Sequence, residues 1–143
     1  MMKYLLDTNV LRHYTDGHQT LLDNLAKAPL EQVAVPFIVF AEQMRGRYDA
    51  LLKAEPQNLL REQERLIGTQ AVLSAFSILY LDQPSVDKLI ELRQKRSARK
   101  RYADVIIAAM ALAGGHIVIT RNVTDFSDLL PAVRIQNWID QVY

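Results

Sequence analysis

The chain alternates between short apolar runs and longer stretches with helical spacing. Tyr4, Leu5 and Leu6 form a first strand-like run near the start. Leu21, Leu22, Leu25 and Ala26 share one face of a helix over about Gln19–Lys27. "QVAVP" gives a second strand at Gln32–Val35, and Pro36 suits a helix's first turn, where its missing N–H is not needed. The helical pattern continues through Phe37, Phe40, Ala41, Met44 and Leu51. "EPQN" breaks it, and Leu59, Leu60, Leu66, Ile67 and Leu73 predict a further amphipathic helix. "FSILYL" is a third strand. A helix from about Pro84 carries Val86, Leu89, Ile90 and Leu92, and "YADVIIAAMALAGG" is another, closed by Gly114 and Gly115. "HIVIT" is a fourth strand, "VTDFSDLL" a short turn or helix, and "VRIQ" a fifth strand.

Strands separated by helices predict an α/β fold with a mainly parallel sheet. At 143 residues, half of them hydrophobic, the chain is expected to form one domain with one core. No apolar run approaches the ~18 residues of a membrane span. Asp7 interrupts the apolar start, so no signal peptide is expected either. The absence of cysteine excludes disulfides and thiolate zinc sites and is compatible with a cytoplasmic protein.

The net charge is only +1, but its distribution is uneven. "RQKRSARKR" carries Arg93, Lys95, Arg96, Arg99, Lys100 and Arg101 with no acid among them. Such a run is a candidate phosphate-binding segment, or else a solvated helix end.

Most of the acids, namely Asp16, Asp23, Glu31, Asp49, Glu55, Glu62, Glu64, Asp87 and Glu91, lie in polar stretches and are expected at the surface. Four lie elsewhere. Asp7 follows the first strand, Glu42 lies in "PFIVFAEQM", Asp104 in the most hydrophobic helix, and Asp125 after the fourth strand. Sites in parallel sheets form beyond the carboxyl ends of the strands. Asp7 and Asp125 are expected on that rim, with Glu42 close by; Asp104 needs packing to bring it in. Gathered together, the four would repel and resist ionisation unless a hard divalent cation lay between them. Singly, each has a plainer reading: Asp7 as a turn former or N-cap, Glu42 and Asp104 as partly exposed helix residues.

"LLDTNVL", "FAE", "ADVIIAAMAL" and "VITRNVTDF", in that order, resemble the PIN-domain ribonucleases, and most of all bacterial toxins of the VapC type. The likeness spans essentially the whole chain, 1–143, as a single PIN-like nuclease domain. It implies a three-layer α/β/α sandwich with a five-stranded sheet and cleavage of RNA, commonly tRNA or rRNA, with Mg²⁺ or Mn²⁺. The family's acids carry over to Asp7, Glu42, Asp104 and Asp125, as catalytic groups and metal ligands. Its supporting polar residues carry over to Asn9, Thr120 and Asn122. The apolar residue common after the Glu is Gln43 here, a departure that touches local packing. The resemblance also implies a cognate antitoxin and a homodimer. Helices at Gln19–Lys27 and Phe37–Leu52 offer apolar faces for a helix-in-groove partner, or for the core.

In such a site the ions would polarise the phosphoryl oxygen, lower the pKa of a bound water and stabilise the leaving oxygen. Competing readings are a metal-dependent phosphohydrolase on small phosphoesters, which would not need the basic run, and a PIN-like module that binds without catalysis. A receiver-like domain would want an acidic pair near the first strand, which "LLDTN" lacks. His13, His18 and His116 show no zinc spacing; His116 is expected to be structural and the other two to be exposed in a loop. Trp138 is expected to pack the C-terminus, with base stacking as the alternative. Tyr102, two residues before Asp104, is open between packing and base stacking.

Overall fold

The computed structural model describes residues 1–95 and 101–143. Arg96, Arg99 and Lys100, and the side chain of Lys95, lie outside the described residues. The strands are β1 (Tyr4–Leu6), β2 (Val33–Pro36), β3 (Ser77–Leu79), β4 (Ile117–Ile119) and β5 (Ile135–Gln136). The helices are α1 (Thr8–Thr15), α2 (Gln19–Lys27), α3 (Phe37–Leu52), α4 (Leu59–Ser74), α5 (Gln83–Lys95), α6 (Tyr102–Gly114) and α7 (Val123–Phe126).

All strand pairings are parallel, in the order β3-β2-β1-β4-β5. The register sets Leu5 against Ala34 on one side and Val118 on the other. The chain steps outward from β1 to β3, then crosses back over β1 to β4. Right-handed crossovers that reverse direction place helices on both faces of the sheet, the predicted α/β/α arrangement. Strands covered on both faces should be apolar throughout, and β2 is buried along its whole length.

β2 begins and ends one residue later than the sequence pattern suggests: Pro36 closes the strand and caps α3 rather than standing in its first turn. Thr8 and Asn9, close behind β1, open a helix of their own, α1. In α6 every residue from Ala103 to Ala111 is buried, so this helix runs through the core. Trp138 is buried, with its ring 5.0 Å from that of Tyr4.

Three expectations need correction. Glu62 is not solvated but 6 % exposed. It falls on the inward stripe of α4 with Leu66, Thr69 and Leu73, whereas Leu59, Leu60 and Ile67 face outward. The apolar face of α4 is thus rotated from the one the leucines suggest. His13 and His18 are not exposed loop residues. His13 is half-buried in α1, and His18 caps α2, its Nδ1 accepting the Leu21 N–H at 3.5 Å. The apolar face of α2 belongs to the core through Leu21 and Leu25, while the α3–α4 hairpin exposes Tyr48, Leu52, Leu59, Leu60 and Ile67. Among the described residues no helix is long and apolar enough to cross a membrane.

The two glycines ending α6 differ in purpose. Gly115 is the left-handed cap, at φ 68°. Gly114 makes room for the ring of His116, which a Cβ there would strike. That ring is pinned, because its Nδ1 accepts the Lys3 backbone N–H at 3.0 Å. Burial, with the N-terminal ammonium, Lys3 and Arg134 nearby, holds the imidazole's pKa below its usual value. Gly114→Ala is therefore expected to cost roughly 2 kcal/mol through overpacking. Chemical denaturation checks this: the midpoint falls, whereas an unchanged midpoint means the ring moves aside freely.

Candidate active site

The strand order reverses between β1 and β4, and the chain leaves both strands at the same edge. This is the switch point at which parallel α/β sheets open a crevice. Asp7 is the first residue after β1 and Thr120 the first after β4. The Asp7 N–H donates to the Ile119 carbonyl at 3.0 Å, which extends the sheet ladder by one step.

Asp7 lies 6 % exposed within a set of donors. Its Oδ1 accepts the Thr8 N–H at 2.8 Å. Its Oδ2 accepts the Thr120 hydroxyl at 2.9 Å and the Asn9 amide at 3.2 Å. Thr120, fully buried, accepts in turn from the Asn122 N–H at 3.0 Å. The Asn9 Oδ1 accepts the Arg121 N–H at 3.3 Å. The turn-former and site readings of Asp7 are therefore compatible: one oxygen caps α1 while the other is oriented by Thr120 and Asn9. Arg121, which sequence reasoning passed over, closes the same loop by a two-pronged contact with Asp140 at 3.1 and 3.2 Å.

Asp104 sits in the first turn of α6 and Asp125 in the first turn of α7. Their backbone N–H groups favour negative charge. For Asp104 the balance still runs the other way. Burial, then the charges of Asp7, Asp125 and Glu42, push its carboxyl up to about 6, against a partial pull downward from Arg101. Three of the predicted acids thus act on the fourth, Asp104.

They do not form a closed cage. Among the described residues no three His, Asp or Glu side chains stand close enough to hold a metal ion as they are. The two findings are consistent, because carboxylate fields reach several ångströms farther than a coordination bond of about 2 Å. A cation is already present: Arg101 Nη2 lies 3.4 Å from Glu42 Oε2. Of the predicted basic run, Arg101 faces the acids, and Arg93 lies 4.6 Å over the ring of Tyr102. Tyr102 is half-exposed in that contact.

A parallel α/β domain that collects acids at its switch point, against the cost of their repulsion, marks that edge as its functional site. The chain belongs to the PIN domain family, whose model matches residues 4–129. Among solved structures it is similar to a toxin–antitoxin complex from Klebsiella pneumoniae, with 25 % identity, a TM-score of 0.68, and coverage of 95 % of this chain and 98 % of that one. It is also similar to FitAcB from Neisseria gonorrhoeae, with 26 % identity, a TM-score of 0.71, and coverage of 96 % and 99 %. DNA-bound VapBC from Salmonella typhimurium, 22 % identical with coverage of 96 % and 99 %, shares the fold at a TM-score of 0.72. No curated protein matches the chain by sequence.

The raised pKa of Asp104 has a sign. Its proton is held more tightly in the folded chain than in the unfolded one. The stability this group contributes is fully present below the ordinary carboxylate pKa of 3.8 and is lost as pH rises through about 6. In the metal-free protein at neutral pH, Asp104→Asn is expected to raise stability by about 1–2 kcal/mol, and to change little near pH 4. Thermal unfolding in EDTA at the two pH values checks this. Equal midpoints at neutral pH would contradict the repulsion.

Proposed function

We propose that the chain is a divalent-metal-dependent endoribonuclease, the toxin component of a toxin–antitoxin pair, acting in the cytoplasm. The observation that carries this reading is the repulsion that Asp7, Asp125 and Glu42 exert on Asp104, built into a fold whose solved relatives include a toxin–antitoxin complex. Each predicted donor is a hard carboxylate oxygen, which suits Mg²⁺ or Mn²⁺. Asp7 and Asp104 would hold the ion directly, with Glu42 and Asp125 as further ligands or as holders of its waters. When bound, the ion supplies Lewis acidity toward a phosphoryl oxygen and toward water.

The chain's own residues do the rest. Thr120 and Asn9 fix Asp7 Oδ2 before any ligand arrives, and Asn122 holds the Thr120 hydroxyl in place. Glu42, partly exposed like Asp125, orients the attacking water. Arg101 beside it meets the anionic phosphate. A cognate antitoxin is inferred from the toxin–antitoxin relatives. The outward leucines of the α3–α4 hairpin, Leu52, Leu59 and Leu60, supply an apolar surface for it.

Single-stranded RNA should be cut in Mg²⁺ or Mn²⁺ and left intact in EDTA, while a simple phosphomonoester is untouched. Asp7→Asn should lower the rate about 100-fold or more, and Thr120→Val about tenfold, since it only loosens Asp7. Undiminished cleavage in EDTA would sink the metal mechanism. Turnover of the phosphomonoester at a comparable rate would move the substrate to small phosphoesters.

A further inference from the structure

Asp7 lines a groove between α1, α3 and α4, a cavity of about 650 Å³ that Asn122 and Arg101 also line. Arg12 joins the lining from α1, Arg47 from α3 and Arg65 from α4. These arginines are scattered in sequence, so no local charge run announces them. With Arg101 they outnumber the two aspartates of the lining, Asp7 and Asp16, so the groove lining is net cationic.

Two of the guanidiniums are held in place. Arg47 donates its Nε–H to Thr69 Oγ1 at 3.0 Å, across the α3–α4 pair. Arg65 Nη1 lies 3.2 Å from Glu62 Oε1. That carboxylate is the one found unexpectedly buried, and its other oxygen has no partner. A buried carboxylate with an orphaned oxygen is unfavourable. Its partnered oxygen holds Arg65, which faces the groove, and lies 3.5 Å from Arg61 Nη2 as well. Each recorded side-chain contact occupies one nitrogen of a group with five N–H donors, leaving donors for a ligand.

We propose that this groove is the track of single-stranded RNA, with Arg12, Arg47 and Arg65 binding successive phosphates on the side of the strand that leads away from the scissile bond. The proposal rests on the ribonuclease reading and extends it. The groove accommodates roughly two nucleotides with the three phosphates that flank them and excludes a duplex. Its floor includes Leu73 and Val72, against which a sugar or base face packs. Gly68 lines the groove as well, and a Cβ added there meets nothing within 4 Å. The groove can therefore be plugged from Gly68 without disturbing the helix pair.

The test is binding of a short fluorescent single-stranded oligoribonucleotide, in EDTA so that nothing is cut, across a salt series. Alongside it, cleavage is measured in Mg²⁺ and folding by circular dichroism. Each of Arg12→Ala, Arg47→Ala and Arg65→Ala should weaken binding about fivefold to tenfold and reduce the log–log salt slope by about 0.7. Gly68→Phe should fold normally and weaken binding more than about tenfold. Arg45→Ala, which removes an exposed cation of α3 outside the groove, should change neither affinity nor slope. If the wild type cuts RNA and the groove variants bind it as tightly as wild type, the groove proposal is overturned and the ribonuclease reading stands. If those variants keep RNA affinity but lose a protein partner, the groove belongs to that partner and the proposal is again overturned. If the wild type neither binds nor cuts RNA, both readings fall.

Discussion

Like charges that the fold does not let separate are the constraint on which this molecule depends. Asp104 sits 5 % exposed at the start of a helix that runs through the core, with Asp7, Asp125 and Glu42 acting on it. Burial and these neighbouring charges act together, and the carboxyl answers by holding its proton to about pH 6. A chain selected only for stability would replace such a residue.

The fold brings the acids together by independent routes that meet at one edge. Asp7 arrives because β1 ends there. Asp125 arrives because β4 ends beside it, so that α7 begins close by. Asp104 arrives because α6 threads the core, and Glu42 because α3 springs from the adjacent β2. Two devices limit the strain. The donors around Asp7 satisfy its oxygens, and Thr120 ties the ends of β1 and β4 into one rigid corner. Arg101 places a cation next to Glu42. Neither device gathers three carboxylates to coordination distance among the described residues, so the acids are neighbours without forming a closed cage.

Much of this was legible in the sequence, for physical reasons. Strands buried on both faces write themselves as apolar runs, and β1, β2 and β4 were found within a residue or two. An acid that follows such a run stands out, as Asp7 and Asp125 do, and so does Asp104 inside the most hydrophobic helix. What stayed hidden depends on the rotation and packing of helices. Glu62 reads as a surface acid because its neighbours are polar, yet the helix turns it inward. Arg12, Arg47 and Arg65 share a groove only because α1, α3 and α4 meet. The basic run was the visible charge signal. Of the part the structure describes, Arg101 faces the acids while Arg93 covers Tyr102.

The central claim is that the four acids are one electrostatic unit whose repulsion a divalent cation relieves. Thermal unfolding of the wild type and of Asp104→Asn, with and without Mn²⁺ at neutral pH, addresses it directly. Mn²⁺ should raise the midpoint of the wild type by several degrees, and far less that of the variant, with the wild-type gain fading as pH falls below about 6. A wild type indifferent to Mn²⁺, or equal gains in both proteins, would contradict the account.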